Sequence, residues 1–208
     1  SPFVTIDGLI LRGRSRAAAL HIDWANDVTV RNCEIRDAEE RDTPGLYIQG
    51  AQRALITDNR IHNNDVGILV YDAEDGGNIL RNNRIFDNSA RGIWIHKGTA
   101  NTSVINNTLY HNRVELELGD DSGRGADPGS GNVFRNNIVI AHGNDGYCIV
   151  ANLHNVDLPA GTIFDYNMYH VEDGSTNVAE FDGESLQGLG DWQAQTGGMP
   201  IVWRRTHC

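Results

Sequence analysis

The chain has 208 residues and a mass of 22.9 kDa, the size of one domain with enough chain to bury a core. Its 17 Lys and Arg against 28 Asp and Glu leave a net charge of −11, which argues against a nucleic acid held through its phosphates. The 23 glycines and 21 asparagines argue against a helix bundle and for many turns, because both residues are poor in helix interiors.

In chain order, one short pattern returns. Arg31-Asn32-Cys33-Glu34-Ile35 is followed by Asp58-Asn59-Arg60-Ile61 and Asn82-Asn83-Arg84-Ile85. Then come Asn106-Asn107-Thr108-Leu109, Asn136-Asn137-Ile138-Val139 and Tyr166-Asn167-Met168-Tyr169. The aligned column is Cys33, Asn59, Asn83, Asn107, Asn137 and Asn167, with spacings of 26, 24, 24, 30 and 30 residues. A second pattern sits between these: Gly45-Leu46-Tyr47-Ile48, Gly67-Ile68-Leu69-Val70, Gly92-Ile93-Trp94-Ile95 and Gly146-Tyr147-Cys148-Ile149. Leu20-His21-Ile22 and Val114–Leu118 fill it less strictly.

Each repeat therefore holds short alternating strands separated by Asn and Gly turns. The period is too short for a helix-turn-helix repeat, and a leucine-rich pattern is absent. A coil of strands fits, with successive coils stacked about 4.8 Å apart. Identical Asn side chains in one column then bond up the stack as a ladder, and Cys33 replaces the ladder Asn as a small buried residue.

The recurring Asn-Asn-x-Ile and Gly-Ile-x-Ile, as in Asn82 to Ile95, resemble the right-handed parallel β-helix repeat family, the pectate-lyase-like superfamily. The resemblance implies an all-β parallel β-helix of about six to seven coils over residues 1–170, with residues 171–208 as a C-terminal capping segment and tail. The segment Asp191–Gly197 also resembles the Trp-Gln stretch that follows the last coil in bacterial members. After Gly198 the likeness stops, which reads as a truncated or recombined end. An open coil end exposes unpaired strand edges, so either the chain pairs with another copy there or Ser1–Asp7 closes it poorly. A secreted or periplasmic location follows from the resemblance alone, since the chain shows no signal peptide. No run of 18 apolar residues marks a membrane helix. Three scattered cysteines make no disulfide framework.

Alternation assigns the outward residues. One outward row reads His21, Tyr47, Leu69, Trp94, Glu115 and Cys148. Its neighbour reads Asp23, Gln49, Tyr71, His96, Glu117 and Val150. Aromatic faces pack on sugar C–H surfaces while carboxylates, amides and imidazoles bond hydroxyls. Tyr47, Trp94, Glu115, Gln49, His21 and Asp23 are therefore the expected substrate-binding residues for an extended polysaccharide or oligosaccharide. Ordinary cross-strand stacking on a solvated sheet is the competing reading. Insertions at 38–44 and 119–131 flank the same face, where specificity normally resides.

Four residues are candidates for chemistry. His96 is of the type that can act as an acid or base near neutral pH, with Tyr71 one coil away and Glu117 beyond it. Lys97 is the sole lysine, and the resemblance implies a cationic side chain in lyases acting on uronates. The competing reading, which weighs more, is a solvated lysine at a strand end for Lys97 and a surface histidine in a binding groove for His96. Asp120, Asp121 and Asp127, with Ser122, offer oxygen donors of the kind calcium takes, although the spacing matches no EF-hand. The family's Tyr-Gly-x-Asp-Pro-His epimerase run is absent, Val70-Tyr71-Asp72-Ala73 being no match, and the Gly-His-Gly and Arg-Ile-Lys segments of its hydrolases are missing. The expectation is a carbohydrate-binding or polysaccharide-processing protein, a lyase or glycoside hydrolase if an enzyme. The alternative is a non-catalytic, self-associating module.

Overall fold

The Asn-Asn pairs become corners of a coil. In the computed structural model the first member of each pair lies in the left-handed region and the second points into the interior. The corner residues Asn32, Asp58, Asn82, Asn106 and Asn136 have φ of 53, 59, 55, 56 and 56°. Asn and Asp tolerate that conformation because a short polar side chain bonds locally, whereas most L-residues meet a Cβ clash. The structure describes residues 3–14, 16–119, 129–142, 146–153, 158–172, 179–181, 183–186, 191, 194 and 202–203.

Three sheets of seven, eight and eight strands run the length of the coil, each built from every third strand in sequence. The first sheet contains Val4–Asp7, Val28–Arg31, Leu55–Thr57, Ile79–Arg81, Ser103–Ile105, Val133–Arg135 and Ile163–Asp165. The second begins at Ile10–Arg12 and continues through Glu34–Arg36, Arg60–His62, Arg84–Phe86, Thr108–Tyr110, Ile138–Ala141 and Met168–Val171 to Val202–Trp203. The third comprises Leu20–Asp23, Pro44–Gln49, Val66–Tyr71, Arg91–Ile95, Val114–Gly119, Tyr147–Asn152 and Ala179–Phe181, closed by Glu184–Leu186. Pairing between these strands is parallel, apart from the antiparallel contact of Ala179–Phe181 with Glu184–Leu186. This is an all-β right-handed parallel β-helix of about seven coils, as the repeat implies.

Register stacks like on like. Val30, Ile56, Leu80, Val104, Phe134 and Phe164 form one interior column, and Ile35, Ile61, Ile85, Leu109, Val139 and Tyr169 another. These side chains are at most 5% exposed. Each contributes roughly 1.5–3 kcal/mol of burial before conformational entropy is subtracted.

The ladder satisfies its own buried amides. Asn59 N and Nδ2 both donate to Asn83 Oδ1, at 3.1 and 3.0 Å, and Asn83 repeats this toward Asn107. Asn83 Nδ2 also donates to Ile56 O of the preceding coil at 3.0 Å. The ladder continues through Asn137 to Asn167. At its start Cys33 stands where the column expects it, buried, with its backbone N–H donating to Asn59 Oδ1 at 2.9 Å.

A second ladder, Asn64–Asn88–Asn112, runs along the corner between the second and third sheets. It bears on the glycine near the start of three third-sheet strands, Gly45, Gly67 and Gly92. A Cβ on Gly45 would stand 2.6 Å from Asn64 Nδ2, and one on Gly92 2.9 Å from Asn112 Nδ2. The ladder amide occupies the volume that any other side chain needs.

Two measurements check this account. Asn83→Ala leaves Asn59 and the Asn107 rung with unmet buried groups, so urea unfolding is expected to show a loss of about 3 kcal/mol or more. Tyr166 takes the corner position at φ 53° with its side chain exposed, a conformation that costs a bulky residue about 1 kcal/mol. Tyr166→Asn is therefore expected to raise the thermal midpoint by several degrees.

Candidate functional site

The outward side of the third sheet collects most of the residues the sequence singles out. Parallel register places His21, Tyr47, Leu69, Trp94, Glu117 and Val150 in one row. Asp23, Gln49 and Tyr71 lie in the neighbouring row, which His96 continues, its N–H donating to Val70 O at 2.9 Å.

The rings touch from coil to coil. His21 stacks on Tyr47 with centroids 4.4 Å apart and planes within 9°. Tyr47 meets Tyr71 edge-on at 6.3 Å, Tyr71 meets His96 at 5.1 Å, and Trp94 lies 4.5 Å from His96. Lys97 Nζ stands 5.3 Å above the Tyr71 ring and 3.6 Å from Asp72 Oδ2. Tyr71, His96 and Lys97 are thus brought together with Asp72, which sequence reading did not select.

Exposure is graded along this path. His21, Asp23 and Lys97 are exposed, and Tyr47, Gln49 and Tyr71 are half-buried. Trp94 and His96 are only 8% exposed and Glu117 2%, so the late coils form a closed floor and not an open face. Val66, Leu69 and Trp94 make a small apolar cluster there, against which Tyr47 and Tyr71 pack. Burial and the Tyr71 and aspartate charges around it push the Tyr47 phenol upward, so it stays protonated at neutral pH.

Glu117 is ion-paired with Arg91. Arg91 Nε donates to Glu117 Oε2 at 2.5 Å, and Nη2 to Oε1 at 3.3 Å. The guanidinium carbon sits 3.9 Å from the Trp94 ring, and Trp94 Nε1 donates to Gly119 O at 2.7 Å. Arg91 was missed in the sequence because strict alternation gives it the inward parity of Ile93 and Ile95, whereas at the start of the strand its guanidinium reaches the outward Trp94 ring. The 38–44 insertion reaches this corner, with Asp42 Oδ1 4.0 Å from Arg91 Nη1.

Glu115 is displaced from the expected row. It is fully buried and follows Gly92 in the glycine column, while Glu117 is the residue that pairs with Trp94. The expected row set Glu115 21 residues after Trp94, whereas pairing brings Glu117, 23 residues on, beside it; the fourth coil takes four residues from Asn88 to Gly92, where the third and fifth take three, from Asn64 to Gly67 and from Asn112 to Glu115. The Glu115 carboxylate ends the second ladder. Asn112 N donates to Glu115 Oε1 at 2.9 Å, and Asn112 Nδ2 bonds Oε2. Cys148, expected outward beside it, is likewise in the core, where burial pushes its thiol up to about 12. Asp120, Asp121 and Asp127 lie outside the described residues.

The model of the right-handed β-helix region matches residues 4–163. The chain belongs to that family. Among solved structures, this β-helix chain is similar to the Azotobacter vinelandii mannuronan C-5 epimerase AlgE6 A-module, with 14% identity and a TM-score of 0.55. The match covers 97% of this chain and 59% of that one, so the chain spans about three fifths of the structure it resembles. No curated protein sequence matches it. At this identity the likeness carries the β-helix fold and leaves the chemistry to the site.

Glu115 supplies a pH test. Burial outweighs the two Asn112 donors and raises its carboxyl well above the ordinary glutamate value of 4.5, with the Asp87 and Glu172 charges adding in the same direction. The folded state then holds a proton that the unfolded chain releases, so stability falls as pH rises from that value through the raised one. In chelator-containing buffer, Glu115→Gln is expected to flatten the decline in urea midpoint that sets in as pH rises above the ordinary glutamate value. An unchanged slope would assign the decline to other groups.

Proposed function

We propose that the third sheet's outward face binds an extended glycan, entering over the early coils and ending against the Tyr71–His96–Lys97 group. The observation that carries this reading is the continuous ring path His21–Tyr47–Tyr71–His96 across successive coils. Coil spacing of about 4.8 Å is close to one sugar unit, so each coil offers a ring with a polar neighbour to one residue of the chain. Asp23, Gln49 and Asp72 supply that polar edge. The fold neighbour's name, a mannuronan C-5 epimerase, supports a polysaccharide ligand by analogy.

Charge selects among glycans. The binding edge carries Asp23 and Asp72 with Lys97 as its cation, and Arg91 is spent on Glu117. A neutral glycan fits this balance, or an acidic one bridged by calcium. Cleavage would use Tyr71 and His96 for proton transfer, with Lys97 facing developing negative charge. Glu117, ion-paired on the floor, positions Arg91 and Trp94.

The test uses neutral and uronate oligosaccharides, each with and without calcium. Tyr47→Ala and Tyr71→Ala are expected to weaken binding at least about tenfold, or ~1.4 kcal/mol each. Both rings are half-buried, so circular dichroism checks that the fold is kept. Binding unchanged in both variants would sink this face as the site. Unsaturated products or new reducing ends that disappear in His96→Ala and Lys97→Ala would establish catalysis.

A further inference from the structure

The corner after the second sheet carries a polar column away from the ring path. Asp37, Asn63, Asp87, His111, His142 and Glu172 each directly follow a strand of that sheet. The backbone stacks the first three: Asp37 N–H donates to Asn63 O at 3.0 Å, and Asn63 N–H to Asp87 O at 3.1 Å. The last three converge. Glu172 Oε2 lies 3.0 Å from His142 Nδ1 and 3.4 Å from His111 Nε2. One donor atom from each of the three side chains falls within 4.8 Å of the others. The two imidazoles stand 4.9 Å apart, inclined at 50°.

A histidine beside a carboxylate is commonly a plain hydrogen-bonded pair. Three features go beyond a pair. A single carboxylate oxygen faces a ring nitrogen from two different coils. Metal bonds of about 2.0–2.1 Å in a tetrahedron set ligand atoms roughly 3.4 Å apart, close to both distances from Glu172. Behind His111, Asp87 Oδ1 lies 3.4 Å from Nδ1, so a carboxylate holds the ring with Nε2 turned toward Glu172. That is the order of groups in which an outer carboxylate orients a metal-binding imidazole.

We propose that His111 Nε2, His142 Nδ1 and a Glu172 carboxylate oxygen bind a divalent transition metal of the zinc class, with Asp87 as the positioning residue for His111. Two imidazoles and one carboxylate select zinc, copper or nickel over calcium and magnesium, which prefer all-oxygen shells. Three protein ligands leave the fourth tetrahedral position to water or to an oxygen of a bound molecule. His111 and His142 are exposed and Glu172 half-buried, so the metal enters directly from solvent. Among the described residues this is the one grouping of His, Cys, Asp and Glu with metal-ligating geometry.

The test takes the chelator-stripped full chain without a histidine tag. It is titrated with zinc by calorimetry and with cobalt(II) by visible absorption. One metal per chain and the intense visible bands of tetrahedral cobalt are expected, undisturbed by excess calcium. Asp87→Asn is expected to weaken binding about 10–100-fold at unchanged stoichiometry. His111→Ala and His142→Ala weaken it further and remove the tetrahedral bands. No binding at micromolar metal overturns the proposal, and so does binding that survives in the His111→Ala/His142→Ala double variant.

Discussion

Everything in this molecule depends on the buried side-chain amide that bonds to its own equivalent in the next coil. An Asn amide placed in an apolar interior costs several kcal/mol unless its donors and acceptor are met. Here Asn83 meets them through Asn59, Asn107 and the Ile56 carbonyl. The partners sit one coil above and one below, so the bond geometry fixes the rise per coil and aligns three sheets at once. A slip of one residue would turn an interior column outward and break every rung.

The same constraint governs substitutions around the ladder. Gly45 is required because the rung amide fills the Cβ position, and Gly92 because the Glu115 carbonyl and the rung amide together do. Where the run of ladder asparagines ends, Glu115 replaces glycine and its carboxylate takes up the donors of Asn112. A buried acid here is thus a structural device, and its raised pKa follows from its location and need not signal catalysis.

With the interior fixed, the outward residues are free to carry function, and packing divides them. On the third sheet, Leu69 and Trp94 close over the late coils with the Arg91–Glu117 pair, leaving His21, Tyr47, Tyr71 and Lys97 accessible. Taking a charge pair out of water gains little by itself, and its use here is to fix the Trp94 ring under the guanidinium. The corner of His111, His142 and Glu172 is a separate place, built because stacked coils bring residues 30 or more apart in sequence to one edge.

The repeat was legible because it is periodic. Asn columns, glycine before Ile-x-Ile and alternation each state a local rule, and each rule is obeyed by a corner or a strand of the fold. The second ladder was equally periodic, at Asn64, Asn88 and Asn112, and a search for spacings of 24 would have found it. What alternation alone could not place was Glu115, because the corner before this strand is one residue longer in the fourth coil than in the third and fifth, and only pairing between coils fixes the register across it. Nor could it place burial on the outward face, the Arg91 clamp, or the meeting of His111, His142 and Glu172. Local sequence determined the strands, the corners and the interior columns, since these follow from steric preference and period. The tertiary stack decided which outward residues stay open and which ionisable groups meet, since both depend on distances between coils and on what lies above each side chain.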